Sequence, residues 1–326
     1  MVMGWRTAMQ TALYGPSGFF TRPDAGPAGH FRTSVHASPL FAGALTGMVH
    51  RVDEALGHPS AFQVVDVGAG RGELLTVLHT LLDPARFRLT GVEVGPRPSA
   101  LPPEIEWRPT VPTDVVGLLV ATEWLDNVPL DVAEVDEGGR LRRVSVDPAT
   151  GAETLGAGVD AADRFWLARW WPDPGPGARA EVGWPRDVAW ADAVGAVRRG
   201  VALAVDYGHV LGSRPNRGTL TGFRAGRQVV PVPDGSCDVT AHVAMDAAAG
   251  AAGTAYTLRT QREALRTLGV DGARPPLDLA RTDPSAYLRA LSAAGAAAEL
   301  TDPDGLGGHW WLLHTIGIQG HGIIAP

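Results

Sequence analysis

The chain has 326 residues, with 28 basic and 35 acidic side chains and a formal net charge of −7. That balance argues against a nucleic-acid partner held by a basic surface. The single cysteine, Cys237, excludes an intrachain disulfide framework and fits a reducing cytoplasm; no apolar run approaches a membrane span, and the first ten residues lack the apolar stretch of a secretory signal.

The first 60 residues carry glycine and proline punctuation and then a helical pattern, with Phe41, Ala44, Leu45, Met48, Val49 and Val52 recurring at three- and four-residue spacing. A first buried strand is expected over Phe62–Val67. A helix follows with Leu74, Leu75, Leu78, Leu81 and Leu82 as its buried face, then a strand over Phe87–Val92. A short third strand is expected over 105–108 and a fourth over 115–121. Strands alternating with helices predict a mostly parallel sheet, with ligands at the carboxyl ends of its strands. Residues 132–135 and Leu141–Val146 flank Asp136-Glu137-Gly138-Gly139 and read as a hairpin. Trp166, Trp170, Trp171, Trp184 and Trp190 then make an aromatic insert that packs internally or forms a homodimer contact. Residues 201–205 read as another buried strand, 217–230 as a second hairpin, 238–243 as a helix start with Asp238 as its N-cap, and 310–318 as a terminal strand. This divides the chain into an N-terminal helical segment and cleft-covering loop (1–60), the first half of a nucleotide-binding type of core (61–130), the inserted hairpin and tryptophan-rich piece (131–200), and the completion of the core (201–326).

The most informative stretch is Asp66-Val67-Gly68-Ala69-Gly70-Arg71-Gly72, a strand end, a glycine turn and a helix start. Glycines at alternate positions let the backbone approach a ligand closely. A dinucleotide site usually carries a further glycine where Glu73 stands here, so a nicotinamide dehydrogenase is disfavoured. The pattern is instead the usual turn of S-adenosylmethionine (SAM) methyltransferases. Glu93 ends the next strand, 21 residues after Gly72, where an acidic side chain accepts hydrogen bonds from ribose hydroxyls. Glu123 and Asp126 follow the fourth strand, and Asp206, Tyr207 and His209 follow the next; strand-end carboxylates there can orient a nucleophile or take its proton. No His/Cys/Asp cluster shows metal-ligand spacing, so no metal is expected.

These segments, in order, resemble the MidA-type SAM-dependent methyltransferases, the family that includes the mitochondrial complex I assembly methyltransferase. The resemblance runs through Tyr14-Gly15, Gly18-Phe19-Phe20, Gly29-His30-Phe31-Arg32-Thr33-Ser34, the glycine turn, Val92-Glu93, Glu123-Trp124-Leu125-Asp126-Asn127-Val128-Pro129, Asp206-Tyr207-Gly208, Arg217-Gly218-Thr219-Leu220 and 238–243. It implies an α/β, Rossmann-like class I methyltransferase fold with an inserted helical and hairpin subdomain. It implies SAM held around Asp66, Gly68, Ala69, Gly70, Gly72 and Glu123, with Glu93 on the ribose. It also suggests that 31–34, with Thr33 and Ser34, folds over the cleft. Glu123 and Asp126 then orient the acceptor and take its proton, with His36, Asp206, Tyr207 and His242 behind them. The family's acidic residues at two positions are His30 and His36 here, and its asparagine before Glu123 is Thr122. Losing two acids weakens a site for a cationic guanidinium and leaves room for a neutral or acidic acceptor. The acceptor readings are therefore a protein, at arginine, or a small metabolite, at oxygen or nitrogen. A third reading, of another class, is a non-catalytic assembly factor that keeps the fold.

Overall fold

In the computed structural model, which describes residues 2–22, 33–172, 174–318 and 322–324, the chain is built on a seven-stranded sheet. Its strands are β1 (Phe62–Val67), β2 (Phe87–Val92), β3 (Glu106–Arg108), β4 (Val115–Thr122), β5 (Val197–Asp206), β6 (Tyr256–Thr260) and β7 (Trp310–Ile316). Across the sheet they lie in the order β3-β2-β1-β4-β5-β7-β6. β1 to β5 run parallel, and β7 is antiparallel to both β5 and β6. The order reverses between β1 and β4, which opens a crevice at their carboxyl ends.

Side-chain alternation decides what each face covers. Val64, Leu118, Val120, Leu203 and Val205 point to one core, filled by Phe41, Leu45, Met48 and Val49 of the helix Pro39–Ala55 and by Leu74, Leu75 and Leu78 of the helix Glu73–Leu81. Val65, Val67, Leu119, Ala121, Ala202 and Ala204 point to the other, against Trp190 of the helix Trp184–Gly195 and Met245 of the helix Met245–Ala251. Leu81, expected in the first core, is 48% exposed. The helix stops at Leu81, the chain turns extended, and Leu82 takes the buried place instead.

An antiparallel sheet stands beside this layer. Asp131–Val135 pairs with Leu141–Val146 as the expected hairpin, flanked by Arg179–Val182 and Glu153–Gly158. The N-terminal helix Trp5–Tyr14 packs on it, with Trp5, Met9 and Leu13 fully buried. Trp166, Trp171 and Trp190 are core residues. The segment 238–243 does not start a helix. Asp238–Thr240 is a strand that pairs with Thr221–Arg224, and the helix begins at Met245. The apolar residues Val239, Ala241 and Val243 recur with period two, and the Asp238 carboxylate accepts from Asn127 Nδ2 (2.8 Å) instead of capping. Among the described residues no helix is long and apolar enough to cross a membrane.

Candidate active site

At the carboxyl ends of β1, β2 and β4 lies a cavity of about 470 Å3, within the range of small-molecule sites. The glycine turn forms its floor. Gly68 and Ala69 both donate their N–H groups to the Val92 carbonyl (2.9 and 3.2 Å), which ties the turn to the end of β2. Gly68 has φ +74°, and a Cβ there would stand 2.8 Å from Trp124 Cδ1. Gly68→Ala combines backbone strain of about 1 kcal/mol or more with that clash. A loss of affinity for S-adenosylhomocysteine in calorimetric titration is the expected result. Gly72, with φ +77°, is the residue before the helix Glu73–Leu81. It shapes the turn from behind the cavity wall.

Glu93 faces the turn. Its Oε2 accepts from Gly70 N (3.0 Å) and its Oε1 from Val94 N (2.7 Å). Burial raises its pKa, and these backbone donors oppose the rise. Asp66 lines the same space, its carboxyl pushed up to about 8 by burial, with Glu73 and Glu93 adding to the effect. Turn and acid therefore converge on one cavity, as their spacing predicts.

The opposite wall comes from the N-terminal segment. Thr33 and His36 line the cavity, and Ser34 lies buried behind them. His36 bridges two parts of the wall: Nδ1 lies 2.7 Å from Thr33 Oγ1 and Nε2 lies 3.3 Å from Glu73 Oε1. Glu73 also accepts from Arg71 N (3.0 Å). Burial raises the Glu73 carboxyl, but the His36 and backbone hydrogen bonds outweigh it and leave its pKa lowered. His30, Phe31 and Arg32 lie outside the described residues.

Glu123 and Asp126 part company. Glu123 has φ +51°, a conformation costly for a side-chain-bearing residue. Its N–H, donated to the Val205 carbonyl (2.8 Å), holds the turn against β5. The carboxyl reaches the cavity and accepts from Ser34 N (3.2 Å). Burial pushes it up to about 8, and Asp126 and Asp238 add to the rise. Asp126 is fully buried on the short turn Leu125–Asn127 and does not line the cavity. Its Oδ2 accepts from Tyr207 Oη and from Thr240 Oγ1 (2.7 Å). Asp206 Oδ2 accepts from the N–H groups of Leu125 (3.0 Å) and Asp126 (3.3 Å). Burial, with Asp126 and Glu123 nearby, raises Asp206 well above the usual carboxylate range.

Sequence spacing gave no hint of Arg186. It is 1% exposed, beneath this group of acids, and donates to the backbone carbonyls of Asp126, Val128 (3.1 Å), Ala241 (2.8 Å) and His242 (3.0 Å). It thereby staples the 123–129 turn to the segment after Asp238–Thr240. Tyr14, Phe20, Trp124 and Asn127, all in segments that carried a sequence signal, also line the cavity, as do Gln10, Pro109, Thr110 and Val111, which carried none. Among the described residues, no group of three or more His, Cys, Asp or Glu is placed to hold a metal ion.

Residues 79–264, more than half of the chain, match the family described as "Putative S-adenosyl-L-methionine-dependent methyltransferase". The match begins after the glycine turn. No curated protein matches the chain. A crystal structure of a COG1565 superfamily member from Burkholderia thailandensis, bound to S-adenosyl-homocysteine, superposes with a TM-score of 0.81 at 24% identity, covering 99% of this chain and 90% of that one. A native crystal structure of a COG1565 superfamily protein from the same organism gives 0.80 at 24% identity with the same coverage. At that identity the likeness shows the fold, a class I methyltransferase sheet with an added antiparallel subdomain. By its family match and its fold, the chain belongs to the MidA/COG1565 family of SAM-dependent methyltransferases.

Proposed function

We propose that the chain binds SAM in the cavity at the ends of β1, β2 and β4 and transfers its methyl group to an acceptor that meets it at Glu123. The observation that carries this is the meeting of the glycine turn, Glu93 and Glu123 on one cavity. The space suits the cofactor in detail. Thr122 Oγ1 is buried there without a hydrogen-bond partner among the described residues, and the 68–70 backbone is bare enough for close approach.

SAM supplies a methyl on a sulfonium whose departure needs little help, so alignment is the protein's main task. Asp66, Gly68, Ala69 and Gly70 bind the cofactor, and Glu93 takes its ribose hydroxyls. Thr33, Ser34 and His36 act as the wall that holds Glu123: the Ser34 N–H orients the carboxyl, and His36 fixes Thr33 to Glu73. Glu123 is the proton acceptor. Asp126, enclosed by Tyr207 and Thr240, positions the turn and does not touch the acceptor. Methylation of a protein arginine, which the family resemblance implies, is the weaker reading. A guanidinium calls for facing carboxylates; of the two acids after β4 only Glu123 reaches the cavity, and Asp66 and Glu93, which also line it, are taken up by the cofactor in this reading.

The Glu123 carboxyl offers a test. A pKa held near 8 means that it is mostly protonated at pH 7. A sulfonium beside it favours the ionised form, so SAM binding below pH 8 expels a proton and strengthens as pH rises. One linked proton gives up to about tenfold in affinity per pH unit, levelling off above pH 8. S-adenosylhomocysteine lacks the cation and shows no such contribution from Glu123, while Asp66 affects both ligands alike. Calorimetric titration of both ligands from pH 6 to 9 measures the difference; identical pH profiles would remove Glu123 from the methyl.

A further inference from the structure

Glu123 lines a second chamber as well as the first. This chamber, about 430 Å3, lies between the hairpin strands Thr221–Arg224 and Arg227–Val229 and the turn before β7. Its walls are Thr221, Phe223 and Gln228 from the hairpin side, Tyr207 after β5, and His309 from the turn. Tyr207 lies against two imidazoles, with ring centroids 5.2 Å from His242 and 5.6 Å from His309.

We propose that this chamber takes the methyl acceptor and that the acceptor presents an uncharged hydroxyl on an aromatic-sized small molecule. The inference rests on the SAM reading of the neighbouring cavity and assigns its substrate class.

Charge in the chamber decides against a cation. Among the described residues Glu123 is its only acidic wall residue, and no arginine lines it. His309 is driven down to about 4 by burial, with His242 adding to the effect, and His242 is itself lowered by burial. Both rings are therefore neutral at pH 7. Asp126 and Asp238 stand behind the wall, each bonded through one oxygen, to Tyr207 and Thr240 and to Asn127, while Asp126 Oδ1 and Asp238 Oδ2 have no partner among the described residues. Glu299, Asp302 and Asp304 line an outer hollow that shares Tyr207, His242, Leu306 and His309 with the chamber, and do not line the chamber itself. A guanidinium placed inside would face a single carboxyl, where its five N–H donors call for more acceptors. A neutral ring bearing a hydroxyl finds aromatic walls and side-chain hydroxyl, amide and imidazole partners.

The step balances simply. The acceptor oxygen forms a bond to the methyl carbon, the carbon–sulfur bond breaks with its electron pair passing to sulfur, and the hydroxyl proton goes to the Glu123 carboxylate. The products are a methyl ether, S-adenosylhomocysteine and a neutral Glu123. A phenol, with a pKa near that of tyrosine at about 10, is far easier to deprotonate than a guanidinium at above about 12.

The test uses the full chain saturated with S-adenosylhomocysteine and two probes, 4-methylphenol and N-acetylarginine amide, read by saturation-transfer NMR. The phenol is expected to bind, and the arginine probe is not. Thr221→Trp and Gln228→Trp fill the chamber from two positions; Gln228 is exposed, so its variant keeps the fold. Either is expected to weaken phenol binding at least tenfold. Binding of the arginine probe in preference to the phenol overturns the proposal, and so does phenol binding that the folded Gln228→Trp protein retains. S-adenosylhomocysteine affinity, measured on wild type and both variants, separates the two levels. If the wild type does not bind it, the SAM reading fails; if affinity is unchanged and the phenol result fails, only the acceptor assignment falls.

Discussion

Glu123→Gln lowers the rate of methyl transfer by about 10²–10⁴-fold, the usual contribution of a positioned proton acceptor, while S-adenosylhomocysteine still binds. Glutamine keeps an oxygen for the Ser34 N–H, so the wall of the cavity stays closed. What it lacks is a lone pair basic enough to receive the acceptor's proton. The split between intact ligand binding and lost turnover is the diagnostic result, read by calorimetry alongside transfer of radiolabel from SAM. A folded variant with the wild-type rate would assign the proton to another group. The left-handed backbone at Glu123 sharpens the expectation. The chain holds a glutamate in a costly conformation, directed between two cavities, where glycine or asparagine would be strained less.

Arg186→Met destabilises the protein by about 3–5 kcal/mol, the cost of removing one partner from a buried charge group. Four backbone carbonyls each lose a donor at once, and Asp126 and Asp206 lose a nearby positive charge. Urea unfolding measures the loss as a lower midpoint at unchanged slope. Activity falls as well, because the same carbonyls anchor the turn that presents Glu123. A variant as stable as the wild type would show that water replaces the guanidinium at no cost.

The parts of the fold that were legible are those whose cause is local. Phe62–Val67 and Phe87–Val92 are apolar runs bounded by turns, and both strands begin and end where the pattern places them. The glycine turn and Glu93 could be paired in advance because adjacent parallel strands bring their ends side by side. Asp126 shows the limit. It sits three residues from Glu123 in one motif, yet the short turn Leu125–Asn127 rotates its carboxylate into the interior. Three-residue spacing cannot report that without the turn. Arg186 was hidden for a different reason: every one of the 28 basic residues is arginine, and its partners are backbone carbonyls from 55 to 60 residues away. Asp238 misled because an acid before an alternating apolar run satisfies both a helix cap and a strand edge, and only the pairing with Thr221–Arg224 decides.

The reversed direction of β7 has a consequence for how such a protein can change. An all-parallel sheet would deliver the start of its last strand to the far edge. Here Trp310, the first residue of β7, pairs with Asp206, the last of β5, so the loop 301–309 arrives beside Glu123. Lengthening or shortening that loop would reshape the acceptor's room while the 66–72 turn stays as it is. On the proposed assignment, apart from the shared Glu123, substrate range and cofactor grip are mounted on separate pieces of chain, and the loop can drift through insertion and deletion without disturbing the turn.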